Sequence, residues 1–288
     1  MTIAKILAPL TGGARDAAVL STAFAAAKPF NAHVQCLFVR PDPSEAVPFY
    51  GESVSATVLQ EVADASKKAS DEAIGICREK LAAAISDAGA ELLDAPALKD
   101  HPTASLREVN GNFADQVTLA ARLSDVVVFG TLKENERPGL TEAFEATLIE
   151  TGRPVLLSPQ AASITFCRKI ALAWNDSVAS AHAVTAALPY LKCAESVEIL
   201  SIVRTKDETI DNADIKSYLA LRGVNATERA IDAGTRSIGD ALLEEAAKGG
   251  AGLLVAGGYG HSRLREMFFA GVTRHVVGHA EIPLFLVH

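Results

Sequence analysis

The chain has 288 residues, 49% of them apolar and 22% charged, with a formal charge of −8. That length is about twice a common domain size, and that apolar content supports buried cores and argues against a disordered chain. The negative balance argues against nucleic acid or an anionic membrane as partner, since both are bound by basic faces that displace counterions.

The first segment, residues 3–10, is a short apolar run closed by Thr11-Gly12-Gly13, and reads as a strand and turn. It is too short for a signal sequence, and no stretch approaches the roughly 18 to 20 apolar residues that cross a bilayer. An Ala-rich helix is expected over 14–28. Strands follow near 33–39, 91–95, 125–130 and 154–158, with helices near 55–88, 110–122 and 139–151. After a connector near 160–165, strands near 168–174, 197–203, 226–231, 252–257 and 283–287 alternate with helices near 178–191, 211–222, 237–248 and 269–279. Continuously apolar strands are buried on both faces, which implies a parallel sheet covered by helices. Right-handed crossovers then make each half a doubly wound α/β sheet of five strands. Cys36, Cys77, Cys167 and Cys193 stand far apart without a CxxC pair, as expected of reduced thiols in a cytoplasmic protein.

The chain contains itself twice. Lys5-Ile6-Leu7-Ala8-Pro9-Leu10 matches Lys169-Ile170-Ala171-Leu172-Ala173-Trp174. Asp125-Val126-Val127-Val128-Phe129-Gly130 matches Gly252-Leu253-Leu254-Val255-Ala256-Gly257, and Pro154-Val155-Leu156-Leu157 matches Pro283-Leu284-Phe285-Leu286. Three matches in one order indicate duplication, with domains expected at 1–160 and 166–288. The first carries an insertion from about 41 to 90, a loop with Pro41, Pro43 and Pro48 and then a long helix. It reads more simply as an elaboration packed along the sheet than as a lid.

The chemistry-bearing run is Gly257-Gly258-Tyr259-Gly260-His261-Ser262-Arg263-Leu264-Arg265, continuing through Ala270-Gly271-Val272-Thr273. Glycines at the carboxyl end of a parallel strand let backbone N–H groups approach phosphate, and the next helix aims its N-terminus there. The crevice of such a sheet lies where strand order reverses, so the turn Asn175-Asp176-Ser177 should face the glycines across it. Arg263 and Arg265 are placed either to clamp phosphate or to stand as solvated charges. Trp174 and Asp232 read as a core aromatic and a turn residue, and His275 with His279 lacks a third metal ligand at useful spacing.

On these residues the chain resembles the universal stress protein family as a tandem pair, most closely from about 168 to 288. The resemblance implies two Rossmann-like domains of the adenine nucleotide alpha hydrolase-like type. The family motif, Gly-x2-Gly-x9-Gly-(Ser/Thr), is met by Gly257 and Gly260, followed by His261 to Phe269; Ala270 and Gly271 then stand where ATP binders have Gly and Ser or Thr. Asn175 stands where the family has a ribose-contacting Asp, and Val203 where backbone holds the adenine. The implied cofactor is ATP or another adenine nucleotide, held by Asn175, Asp176, Ser177, Val203, Gly257, Gly260, His261, Arg263, Ala270, Gly271, Val272 and Thr273. No metal is expected beyond Mg²⁺ accompanying the nucleotide. Asn175, Ala270 and Gly271 leave retention of ATP open, since each removes a charge-assisted bond, a hydroxyl or backbone room. The first half has no second glycine after Gly130 and carries Glu134 and Glu136 where phosphate would sit, so it reads as a degenerate structural partner.

The resemblance implies a stress-response binding and signalling module rather than an enzyme. Its last strands, Pro154–Ser158 and Pro283–Val287, are expected to pair within the chain, and a homodimer of the whole chain is compatible with this. The alternative is an ATP-using enzyme of the ATP-pyrophosphatase or adenylating type, because Thr11-Gly12-Gly13-Ala14-Arg15-Asp16 is similar to its Ser-Gly-Gly-x-Asp-Ser loop. There the acid falls one residue late and the final Ser is missing. No Gly-x-Ser-x-Gly elbow is present for a hydrolase.

Overall fold

The computed structural model describes residues 2–42, 56–132, 138–159, 166–203, 211–258 and 281–288. Eleven described strands form one sheet in the order β3-β4-β2-β1-β5-β6-β11-β10-β7-β8-β9. In the first half these are β1 (Lys5–Leu10), β2 (His33–Arg40), β3 (Glu91–Leu92), β4 (Thr103–Asn110), β5 (Val126–Gly130) and β6 (Val155–Ser158). In the second they are β7 (Lys169–Ala173), β8 (Ser196–Val203), β9 (Ala226–Asp232), β10 (Leu253–Gly257) and β11 (Leu284–Val287). All pairs are parallel except β6 with β11.

In each half the chain starts mid-sheet, steps outward on one side, then returns to the other side of its first strand. That reversal puts the helices before it on one face and those after it on the other. Residues of α1 (Asp16–Ala27), α2 (Ala56–Ala88), α5 (Val178–Cys193) and α6 (Ala213–Ala220) build one core. Those of α3 (Phe113–Ala121), α4 (Leu140–Ile149) and α7 (Ile238–Lys248) build the other. The switch points lie between β1 and β5 in the first half and between β7 and β10 in the second. Among the described residues no helix is long and apolar enough to cross a membrane.

The two sheets are joined as the family resemblance implies. Leu284, Phe285 and Leu286 of β11 pair antiparallel with Leu157, Leu156 and Val155 of β6. Leu156 and Phe285 face the first core, and their neighbours on either side face the second, so the alternation serves both layers. Above the seam Tyr190 of α5 takes edge-on contacts from Phe30, Phe166 and Phe285, with ring centroids 5.3, 5.9 and 5.9 Å away. Its hydroxyl is fully buried and has no hydrogen-bond partner among the described residues.

One expected strand is corrected. The segment 91–95 contributes only the two-residue β3 at the sheet edge, and the third full strand of the first half is β4. Its sequence, Thr-Ala-Ser-Leu-Arg-Glu-Val-Asn, hides a buried strand because Thr103 and Ser105 are polar yet 0% and 3% exposed. The cause is His33 on β2: Nδ1 lies 2.8 Å from the Thr103 hydroxyl and Nε2 2.8 Å from the Ser105 hydroxyl. Thr103 spends its proton on the Ala97 carbonyl, so it accepts from Nδ1–H and leaves Nε2 to accept from Ser105. The helix expected from 110 begins at Phe113, where the Asn112 side chain accepts from the Asp115 N–H and sets the first turn. The other described elements fall within about two residues of expectation. The helix expected over 269–279 and the connector 160–165 lie outside the described residues.

Two measurements test these packing arguments. Tyr190→Phe removes a buried hydroxyl that has no partner, and is expected to raise stability by about 1 kcal/mol in urea unfolding, where a core truncation would lower it. Burial, reinforced by the Lys5 ammonium, holds the His33 imidazole below its ordinary value. The unfolded chain therefore binds this proton first as pH falls below the free-histidine value of about 6.5, and stability declines down to the lower folded value. A His33→Gln variant, although less stable at pH 7.5, should lose less between pH 7.5 and 5.5 than the parent.

Candidate nucleotide crevice and its degenerate twin

The second half's crevice opens at the carboxyl ends of β7 and β10, which pair through Ile170–Leu253, Ala171–Leu254 and Leu172–Val255. Beyond β7, Asn175 and Asp176 make a tight turn in which Asp176 adopts φ of 57°. The Asn175 carbonyl oxygen accepts from the Ser177 hydroxyl at 2.7 Å and the Ser177 N–H at 3.3 Å. Ser177 then caps α5, accepting from the Ser180 N–H at 3.1 Å while the Ser180 hydroxyl accepts from the Ser177 N–H at 3.0 Å. The turn thus serves the helix start, and the oxygen expected to meet a ribose hydroxyl already has internal donors.

The first motif glycine has a packing role before any ligand is considered. A Cβ on Gly257 would stand 2.5 Å from the Ser180 nitrogen and 2.6 Å from the Ala179 carbonyl oxygen. Only a bare backbone lets the first turn of α5 lie on the end of β10. Gly258 follows with its N–H donating to the Val287 carbonyl and the Leu148 side chain of α4 3.5 Å from its own Cβ position. This N–H therefore belongs to the sheet. Val203 closes β8 opposite Asp232 of β9, at the same end of the sheet. The structure thus brings Asn175, Asp176, Ser177, Val203 and Gly257 to one edge. Gly260, His261, Arg263, Ala270, Gly271, Val272 and Thr273 lie outside the described residues, as do Arg265, His275 and His279. Trp174 is half-buried against the first core, and Asp232 accepts from the Gly234 N–H, as a turn residue does. Among the described residues no cluster of three or more His, Cys, Asp or Glu could hold a metal.

The first half's crevice, between β1 and β5, is built otherwise. Gly12 adopts φ of +79° and its Cβ position lies 2.6 Å from the Ala73 Cβ of α2. The inserted helix is therefore a buttress on the β1–α1 loop: Lys80 donates to the Gly13 carbonyl, and the Cys77 thiol to the Asp16 carboxylate at 3.4 Å. Asp16, 2% exposed, also accepts from the N–H groups of Thr11 and Gly12 and from the Thr11 hydroxyl. In the sequence Asp16 stood only as the late acid of the adenylating-type loop; its bonds back to that loop and the α2 contacts were not legible. The one sequence signal was the Gly-Gly pair itself, which marks a loop that must bend tightly under a neighbour.

Two doubly wound halves, each with a crevice at its switch point and joined through their last strands, define a tandem pair of Rossmann-like domains. A model of the universal stress protein family matches residues 167–288, the second half of the chain. A universal stress protein from Archaeoglobus fulgidus, 16% identical, superposes with a TM-score of 0.69 over 98% of this chain and 95% of its own. A protein of unknown function from Pseudomonas aeruginosa, 14% identical, superposes with a TM-score of 0.52 over 99% and 92%. At these identities the likeness is one of fold, and it spans both halves. No curated protein matches the chain by sequence.

The two glycines that end the fourth strand of each repeat differ in what surrounds them, which makes a direct test. Gly257→Ala is expected to lower stability by about 3 kcal/mol, because backbone rather than a flexible side chain stands in the way. The nearest described atoms to a Cβ on Gly130 belong to the Arg15 and Val19 side chains, at 3.4 Å or more, so Gly130→Ala should change stability by less than about 1 kcal/mol. Urea midpoints of the two variants decide it.

Proposed function

We propose that the chain is a stress-response module that binds one adenine nucleotide in the crevice of its second half and acts by binding rather than turnover. The observation that carries this reading is the meeting of the Asn175–Ser177 turn, the end of β8 at Val203 and the glycine end of β10 at one sheet edge, within the segment matched by the family model. The first half supplies the last strand that completes the second sheet, and a packed scaffold in place of a second nucleotide site. The adenylating-enzyme alternative rested on the loop from Thr11 to Asp16. There the carboxylate is turned back onto its own loop, an arrangement that favours a structural role.

Protein purified without added nucleotide, denatured and analysed by mass spectrometry should release adenine nucleotide, or else bind one ATP per chain in calorimetric titration. Gly260→Asp should abolish that binding. Asn175→Asp should strengthen it about fivefold, roughly 1 kcal/mol, because a carboxylate has a second oxygen for the ribose hydroxyls and adds charge assistance. Neither bound nucleotide nor titration heat at millimolar ATP would overturn the reading.

A further inference from the structure

The turn after β7 divides its polar groups between the protein and the crevice. The Asn175 carbonyl oxygen accepts from both Ser177 donors, the hydroxyl at 2.7 Å and the backbone N–H at 3.3 Å. A backbone N–H only donates, so this contact fixes the orientation of the amide and spends both lone pairs of its oxygen on the turn. Asp176 is the next residue. It is exposed, and its carboxylate has neither a hydrogen bond nor an ion pair among the described residues.

The backbone sets Asp176 apart as well. The repeat aligns Thr11-Gly12-Gly13 with Asn175-Asp176-Ser177, so Gly12 is its twin. Both residues are left-handed, with φ of +79° at Gly12 and 57° at Asp176. Glycine takes this conformation freely, whereas a side chain strains it, least for Asn and Asp. In the first half glycine is required, because the Ala73 Cβ of α2 stands 2.6 Å from its Cβ position. The helix α6 follows the second strand of its half as α2 does, but has 8 residues against 33, and Asp176 is left uncovered. A strained position with an unspent carboxylate thus stands at the mouth of the second crevice, where its twin is filled by packing.

Resting on the nucleotide reading above, we propose that Asp176 accepts from the ribose hydroxyls and that Asn175 positions it. The crevice then takes adenine nucleotides with free 2′ and 3′ hydroxyls and refuses those phosphorylated or cyclised there. In the sheet β7 lies between β10 and β8, about 4.8 Å from each. Phosphates at the glycine end of β10 and a base at Val203 of β8 therefore leave the sugar over the β7 turn. A carboxylate accepts from hydroxyls with charge assistance, and its two oxygens can serve both hydroxyls of a cis-diol. A phosphate on the same ribose edge would meet Asp176 as like charge. The acceptor that Asn175 spends on the turn is supplied one residue later.

Calorimetric titration of the full chain with ATP, 2′,3′-dideoxy-ATP, AMP and 3′,5′-cyclic AMP tests this. The parent should bind ATP about tenfold more tightly than the dideoxy form, and AMP about tenfold more tightly than cyclic AMP. Asp176→Asn keeps the left-handed turn and should erase the first difference, chiefly by weakening ATP. Asp176→Gly, carrying the residue of its twin, should do the same and decides the matter if the Asn variant does not fold. The proposal is overturned if the parent binds ATP no better than dideoxy-ATP, or AMP no better than cyclic AMP. It is equally overturned if a folded variant keeps the parent's preference for ATP over the dideoxy form. In each of these cases the nucleotide reading stands by itself, whereas failure of both ATP and AMP to bind the parent overturns the two together.

Discussion

The antiparallel pairing of β6 with β11 turns two sheets into one, and most of what distinguishes this chain from a single domain follows from it. Each strand would otherwise end its sheet with a row of unpaired N–H and C=O groups, an edge that invites association with other chains. Joined, Val155, Leu156 and Leu157 lie against Leu286, Phe285 and Leu284, and every one of these side chains is buried. The helices follow the strands. Phe30 and Phe166 close over Tyr190 on one face, and Leu148 reaches Gly258 on the other. The second crevice therefore rests on a residue of the first half at its base.

Duplication gave both halves the same crevice, and small local differences have made them unlike. In the second, a capping box starts α5 directly above Gly257, the helix backbone lies on the strand end, and the loop is short. In the first, α1 begins with Arg15 and Asp16 in place of a small capping residue. The acid folds back onto the loop donors, and the arginine spans the gap to Thr131. The inserted helix α2 then locks this arrangement through Ala73, Cys77 and Lys80. Burial pushes the Cys77 thiol up to about 12, with Asp16 adding to the effect, so it acts as a hydrogen-bond donor to the carboxylate and stays protonated. An inserted helix thus packs directly on the loop that borders the first crevice.

The outer strands of the second half are held differently from its centre. Glu198 of β8 and Arg229 of β9 are ion-paired, and Arg229 also reaches Glu245 of α7, which Arg236 joins. Here α7 meets the sheet through half-buried charges beside a small apolar patch, whereas β7 and β10 are covered by aliphatic side chains. The exposed side of β9 is thus bordered by charge, a usual protection for a sheet edge.

Hydrophobic periodicity, the repeat and the glycine-bearing strand ends determined by themselves that this is a tandem α/β protein, and they pointed to the ends of β7 and β10 as the candidate crevice. Those signals are local: a run of Val, Leu and Ile between turns reads as a buried parallel strand wherever it packs. The strand at 103–110 escaped because its buried polar residues are satisfied only by His33, some seventy positions earlier in the chain. In the same way Gly257 could be recognised as part of a motif, but that its missing side chain makes room for α5 was decided by the packing of helix on strand. Asp16 stood in the sequence as the late acid of an adenylating-type loop, and its hydrogen bonds to Thr11 and Gly12 were visible only in the structure. The sequence carries residue types and spacing; which donor meets which acceptor, and whether a crevice is closed or left open, are properties of distant segments brought together, and only the tertiary structure contains them.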